Sequence, residues 1–105
     1  MGSRIDQLRI LEEESPNDDF IIYTIGLELL KTSPTEAEIY LDKNHKLNPN
    51  YLANFYQLGK LKLELGKFTE AKAVLNEGII LAKKEKNNHT LNELQFLLED
   101  IEDEL

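Results

Sequence analysis

The sequence repeats itself with an offset of about 33 residues, and this internal repeat constrains the fold more than any other feature. The tripeptide Thr-Glu-Ala occurs at residues 35–37 and again at 69–71. An aliphatic residue followed by glycine occurs at residues 25–26 and again at 58–59. Self-similarity with a period of roughly 33 to 34 residues is typical of stacked helical hairpins, in which neighbouring units bury a shared core. The repeat therefore predicts a scaffold that offers surfaces for binding and carries no built-in chemistry.

The apolar spacing predicts six α-helices within one domain. No segment alternates with period two, so no strand is predicted. Proline, glycine and asparagine divide the helices from one another. The predicted segments are an N-terminal half-repeat helix at residues 3–15, a first repeat at 18–50, a second repeat at 51–86 and a C-terminal capping helix at 89–105.

Local signals predict where several helices begin and end. Ser3, with Asp6 three residues later, is a candidate cap for the first helix. Residues 33–36 (Ser-Pro-Thr-Glu) and 90–93 (Thr-Leu-Asn-Glu) read as capping boxes, in which the first and fourth side chains satisfy free backbone N–H groups. Gly66 is expected to stop a helix in the left-handed conformation.

Two glycines are predicted inside helices, at Gly26 and Gly59. Glycine costs a helix about 1 kcal/mol relative to alanine, so its use at equivalent places in both repeats calls for a reason. Ala37 and Ala71 stand at the matching place on the second helix of each pair. These small residues predict that the two backbones of each hairpin approach closely.

Composition excludes several classes of function. A net charge of −8 disfavours binding to nucleic acid, where affinity comes chiefly from neutralised phosphates, and to anionic membrane surfaces. The chain has no cysteine, so it has neither a disulfide nor a thiolate metal site. Its longest apolar stretch is far shorter than the roughly 20 residues that span a bilayer, and no signal peptide is evident. The chain is interpreted as cytoplasmic.

The combined repeat pattern resembles the tetratricopeptide repeat (TPR), a helix pair of 34 residues. The first repeat carries the matching residues Ile22, Ile25, Gly26, Ala37, Leu41, Leu47 and Pro49. The second repeat carries the matching residues Phe55, Leu58, Gly59, Gly66, Phe68, Ala71, Leu75 and Gly78. Two departures are the turn at residues 31–34, which lacks the usual glycine, and Lys62, which stands where the family favours tyrosine. The resemblance implies an all-α, right-handed superhelical stack of antiparallel helix hairpins.

The resemblance also implies a concave groove lined by the first helix of each pair, which would hold a peptide or a partner helix. The residues carried over to that groove are Phe20, Tyr23, Leu27, Leu30, Ala53, Tyr56, Lys60 and Glu64. The alternative for Phe20, Leu27 and Leu30 is that they are core contacts to neighbouring helices. The family's clamp for a C-terminal carboxylate is not expected, because Tyr23, Leu27 and Gln57 occupy its main places. An apolar and tyrosine-lined groove should prefer a hydrophobic or amphipathic segment with a basic flank.

The last predicted helix carries an apolar seam with alternating spacings of three and four residues. The seam consists of Leu91, Leu94, Leu98, Ile101 and Leu105. It is expected to pack over the second repeat; alternatively, part of it, widened by Phe96 and Leu97, pairs with another molecule. The predicted function is therefore a protein-binding adaptor, and the alternative is a protein that forms a homodimer through its groove or its C-terminal helix.

No motif in the chain predicts catalysis, a metal site or a cofactor. His45 and His89 lie far apart in polar surroundings and are interpreted as surface histidines. The acidic residues at 12–14 and 18–19 lack the spacing of a calcium loop. The lysines at 83, 84 and 86 are expected to complement the dipole at a helix end, so they are not interpreted as an anion site.

Overall fold

The computed structural model describes residues 3–104, with side chains from residue 3 to residue 101. This part of the chain is all-α, as predicted. The six helices are α1 (Arg4–Glu14), α2 (Asp19–Leu29), α3 (Pro34–Leu47), α4 (Leu52–Glu64), α5 (Phe68–Lys84) and α6 (Asn88–Glu104). The chain divides into two compact units, Met1–Pro49 with α1 to α3 and Asn50–Leu105 with α4 to α6. Leu105, the last residue of the predicted apolar seam, lies outside the described residues.

In the first unit, α2 packs against both α1 and α3. Arg4, at the start of α1, forms an ion pair of 3.3 Å with Glu28 near the end of α2, so these two helices are antiparallel. The side-chain amide of Asn44, late in α3, donates a hydrogen bond of 2.7 Å to the backbone carbonyl of Asp19, at the start of α2. The buried apolar residues of this unit are Leu8, Ile22, Ile25, Leu29, Ala37 and Leu41.

In the second unit, α5 packs against α4 and α6, and α6 also contacts α4. Leu94, Leu97 and Ile101 bury one side of α6, so this helix belongs to the core of the unit. Lys62 on α4 is buried as well, and its ammonium group lies 3.0 Å from the carboxylate of Glu70 on α5. The remaining buried apolar residues are Phe55, Leu58, Leu61, Ala71, Val74, Leu75, Ile79 and Ala82.

The glycines inside α2 and α4 make room for leucine side chains. A Cβ atom on Gly26 would lie 2.6 Å from Cδ2 of Leu41, and one on Gly59 would lie 2.5 Å from Cδ2 of Leu75. Both distances are well inside van der Waals contact, which begins at about 3.5 Å. The prediction was that the two backbones of each hairpin approach closely at these glycines; the nearest atoms instead belong to leucine side chains of the second helix.

One of the two predicted caps in the first unit is confirmed. The hydroxyl of Ser3 accepts a hydrogen bond from the backbone N–H of Asp6, and the carboxylate of Asp6 accepts one from the backbone N–H of Ser3. The predicted capping box at Ser33 is wrong, because the side chain of Ser33 makes no capping hydrogen bond. Glu36, its expected partner, instead accepts a hydrogen bond of 2.9 Å from Arg9 on α1.

The predicted capping box at Thr90 is also wrong. Helix α6 begins two residues earlier, at Asn88. The side-chain oxygen of Asn87 accepts a hydrogen bond of 3.0 Å from the backbone N–H of Thr90, so Asn87 supplies the cap. Oε1 of Glu93, the last residue of the predicted box, lies 3.4 Å from Nε2 of His89.

Two residues with positive φ follow the ends of α4 and α5. Gly66 has a φ of 76°, which confirms the predicted left-handed stop. Lys86 has a φ of 58° and takes the corresponding place after α5. Side chains other than glycine rarely adopt this conformation, so the backbone at Lys86 is strained.

Candidate partner-binding groove

A groove with a volume of about 530 Å³ lies between α4 and α6 in the second unit. Most of the surface that lines it is apolar. The lining residues are Tyr56 and Lys60 from α4, and His89, Asn92, Glu93, Phe96 and Leu97 from α6. All seven side chains belong to one compact unit, so the groove is a property of that unit.

The α4 wall of the groove consists of an aromatic ring and a cation. Tyr56 and Lys60 are four residues apart, which places them one above the other on the same face of the helix. The ammonium group of Lys60 lies 5.9 Å from the centre of the Tyr56 ring, within range of a cation–π interaction. Tyr56 is half-buried and Lys60 is exposed.

The α6 wall combines an exposed aromatic ring with a contact between two polar side chains. Phe96 exposes 66% of its surface, whereas Leu97 beside it is buried. His89 and Glu93 are one turn apart, with Nε2 of His89 3.4 Å from Oε1 of Glu93. The groove can therefore offer apolar contact at Phe96 and hydrogen bonds from the amide of Asn92.

Core residues hold both walls in place. Phe55 directly precedes Tyr56 on α4, and Leu94 directly follows Glu93 on α6. Both Phe55 and Leu94 are buried against Gly78 of α5. The side chains next to them, Tyr56 on α4 and Glu93 on α6, therefore face away from the core and line the groove.

The structure brings only two of the eight predicted groove residues together in this groove, Tyr56 and Lys60. Ala53 and Glu64 lie on the same helix α4 and are exposed, but they do not line it. Their predicted contact with a partner stays a prediction.

The four predicted residues of the first unit are at least partly accessible. Phe20 exposes 64% of its surface. Tyr23 and Leu27 on α2, and Leu30 just after its end, are half-buried. None of the four is buried in the core of that unit, so the structure leaves each of them some surface for a partner.

The sequence reasoning named Phe96 and Leu97 only as an alternative contact with another molecule, and it did not place α6 beside Tyr56 and Lys60, although the repeat offset contained the signal. Adding 33 residues once more to the recurring groove positions reaches the C-terminal helix. The first such series is Tyr23, Tyr56 and His89, and the second is Leu27, Lys60 and Glu93. The predicted C-terminal capping helix therefore carries residues at the same repeat positions that line the groove on α4.

A polar cluster in the first unit joins α1 to α3. Arg9 donates hydrogen bonds to the hydroxyl of Tyr40 (3.2 Å) and to Glu36 (2.9 Å), and the hydroxyl of Tyr40 donates one to Glu12 (3.0 Å). Burial raises the pKa of Tyr40 above its usual value of 10.0, and the hydrogen bond to Glu12 adds to this increase. The hydrogen bond to Glu36 raises the pKa of Arg9, which stays charged. The cluster therefore has a structural role.

Among the described residues, no group of three His, Asp or Glu side chains is arranged to hold a metal ion. His45, half-buried on α3, and His89, at the groove, lie in different units. No described helix is both long enough and apolar enough to cross a bilayer.

Comparison with known proteins gives matches among solved structures only. No protein-family model matches the sequence, and no curated protein does either. The crystal structure of a tetratricopeptide repeat domain protein from Salinibacter ruber is 29% identical, with a TM-score of 0.76 over 81% of this chain and 97% of that chain. The TPR2B domain of yeast Sti1, solved as a complex with pHsp70, is 15% identical, with a TM-score of 0.87 over 96% of this chain and 82% of that chain. A protein from Bordetella parapertussis is 19% identical, with a TM-score of 0.84 over 99% of this chain and 91% of that chain.

These similarities define the class of the molecule as a helical-repeat protein built from helix hairpins. Within that class, the chain is a small tetratricopeptide-repeat-like protein, as the repeat pattern predicts.

Proposed function

We propose that this chain is a protein-interaction adaptor that binds an apolar or amphipathic segment of a partner protein in the groove between α4 and α6, without catalysis. The observation that carries the proposal is the exposed ring of Phe96, which shares an apolar groove with the ring of Tyr56. Aromatic rings bury a large area at a low cost in side-chain entropy, so they dominate many binding surfaces. The residues of that surface are therefore suited to holding apolar side chains of another molecule.

The fold supports a protein as the partner. The yeast Sti1 domain, which shares this fold, was solved as a complex with pHsp70. At 15% identity that likeness shows the fold alone, so the chemistry of the partner has to be argued from this chain's own groove.

A second candidate function is self-association into a homodimer, and the exposure of Phe96 also favours it. Leu94, Leu97 and Ile101 are buried inside the unit, so a dimer through α6 would rely mainly on Phe96 and its neighbours. Light scattering over a hundredfold range of concentration separates the two proposals. A mass near 12.1 kDa throughout supports the adaptor, and a mass near twice that value supports the homodimer.

Selection of peptides from a random displayed library tests the adaptor directly. The selected peptides are measured against Phe96→Ala and against the matched control Ile80→Ala. Ile80 exposes 70% of its surface on α5 and does not line the groove. Loss of an aromatic hot spot costs about 2 kcal/mol, so Phe96→Ala should weaken binding roughly 30-fold, and Ile80→Ala less than about twofold. Equal effects of both substitutions, or no selected peptide, would contradict the proposal.

A further inference from the structure

Lys60 carries a positive charge that no described carboxylate pairs with. Its one described interaction is with the Tyr56 ring, at 5.9 Å. Glu64 lies one turn further along α4, yet no carboxylate among the side chains of residues 3–101 forms an ion pair with Lys60. The groove's own carboxylate, on Glu93, lies 3.4 Å from Nε2 of the His89 ring. Among the described groove residues, Lys60 is therefore the charged side chain that has neither a hydrogen bond nor an ion pair.

This local charge differs in sign from the charge of the whole chain, which is −8. The two act over different distances, because salt at physiological concentration screens charges beyond about 8 Å. The net negative charge steers the approach of a partner and favours one with basic residues outside the groove. Inside the groove, direct contacts determine which side chains of the partner bind, and Lys60 favours a carboxylate there.

We infer that the segment held in this groove carries one aspartate or glutamate beside an apolar residue, with basic residues on its flanks. The apolar side chain packs between Tyr56 and Phe96, and the carboxylate pairs with Lys60. The carboxylate belongs to a side chain within the segment, so a free C-terminus is not required. This inference rests on the proposed function and adds the chemistry of the partner to it.

A charge-reversal selection tests the inference. A random peptide library, displayed so that the peptides have no free C-terminus, is selected on the wild-type protein, on Lys60→Glu and on Lys72→Glu. Lys72 is exposed on α5 and lies outside the groove, so both variants change the net charge by the same amount. Wild type and Lys72→Glu should enrich an acidic residue at a fixed distance from an apolar one. Lys60→Glu should lose that acidic residue and enrich lysine or arginine in its place.

Single peptides give the magnitude. Replacing the enriched aspartate or glutamate of a selected peptide by its amide should weaken binding to wild type about fivefold, the size of one favourable ion pair. The same replacement should strengthen the residual binding to Lys60→Glu, because it removes the repulsion between two carboxylates. Peptides that depend on Phe96 but show no acidic preference would overturn this inference and leave the proposed function standing. Peptides that do not depend on Phe96, or no peptides at all, would overturn both.

Discussion

Replacing Gly78 with alanine should destabilise the second unit, although alanine is the better helix former. Gly78 lies on α5, where that helix passes between α4 and α6. A Cβ atom at this position would lie 2.7 Å from Cβ and 2.9 Å from Cγ of Phe55, and 3.1 Å from Cδ1 of Leu94. Carbon atoms in contact normally lie about 3.5 to 4.0 Å apart, so the neighbouring atoms must move by roughly 1 Å.

The size of the effect follows from two opposing terms. Alanine in place of glycine inside a helix contributes about 1 kcal/mol of stability. Excess volume in a packed core costs about 1 to 3 kcal/mol. The cost here lies at the upper end, because the Cβ atom of Phe55 is fixed to the backbone of α4 and cannot rotate away. We therefore expect Gly78→Ala to lower the free energy of unfolding by about 2 kcal/mol.

Urea unfolding followed by circular dichroism measures this change. A small domain loses about 1 to 3 kcal/mol of stability per molar urea, so a loss of about 2 kcal/mol should lower the midpoint by about 0.7 to 2 M. Asn76→Ala is the matched control, since it places the same residue at an exposed position of the same helix and should raise stability by a few tenths of a kcal/mol. A midpoint for Gly78→Ala at or above that of wild type would refute the packing argument.

Two further predictions concern the backbone at Lys86 and the partly buried hydroxyl of Tyr40. Lys86→Gly should raise the free energy of unfolding by about 1 kcal/mol, because the φ of 58° strains a side chain that glycine lacks; an unchanged urea midpoint would contradict this. For Tyr40, the raised pKa means that its contribution to stability is present below pH 10.0 and is lost as the pH rises through the folded-state pKa. Wild type should therefore lose more stability than Tyr40→Phe between about pH 8 and about pH 11, and a constant difference between the two urea midpoints would count against it.

The repeat predicted the helices well because each hairpin's apolar spacing is local in sequence. The two capping boxes, at Ser33 and Thr90, were predicted wrongly because another residue competes for one of the hydrogen bonds in each. Glu36 is drawn away from Ser33 by Arg9, a residue on another helix. Asn87 takes over the cap expected from Thr90, because both residues suit the role and the helix begins directly after Asn87, at Asn88. A motif alone does not show which of two competing hydrogen bonds forms.

Lys62 shows the same limit in the core. Its place in the repeat raises doubt about tight packing there, since the family favours tyrosine. The structure buries it to 4% exposure and sets its ammonium group 3.0 Å from Glu70. The aliphatic part of a lysine side chain can cover apolar surface while its ammonium group reaches a charged partner. The partner of Lys62 lies on the next helix, so the residue pattern of α4 alone does not reveal it.

One of the two walls of the groove could be predicted from the sequence. Tyr56 and Lys60 follow from their place on the first helix of the second repeat. On α6, Phe96 and Leu97 were named only as an alternative contact with another molecule. The rest of that wall was not predicted, because Leu94 and Ile101 identify the helix as a packing element, and both are indeed buried. A helix of a repeat stack has two faces, however, and its apolar seam describes only the face that meets its own unit.

The separation of these two faces explains how the fold and the partner can be specified independently. The buried residues Phe55 and Leu94 fix α4 and α6 against Gly78, and a change in their volume would cost stability. The groove positions beside them are free of that constraint, and they differ from repeat to repeat: leucine at position 27 becomes lysine at 60 and glutamate at 93. The yeast Sti1 domain, at 15% identity, shares the fold alone. The chemistry of the proposed partner must therefore be argued from this chain's own groove residues, and Lys60 and Phe96 are the two whose substitution should alter the proposed binding.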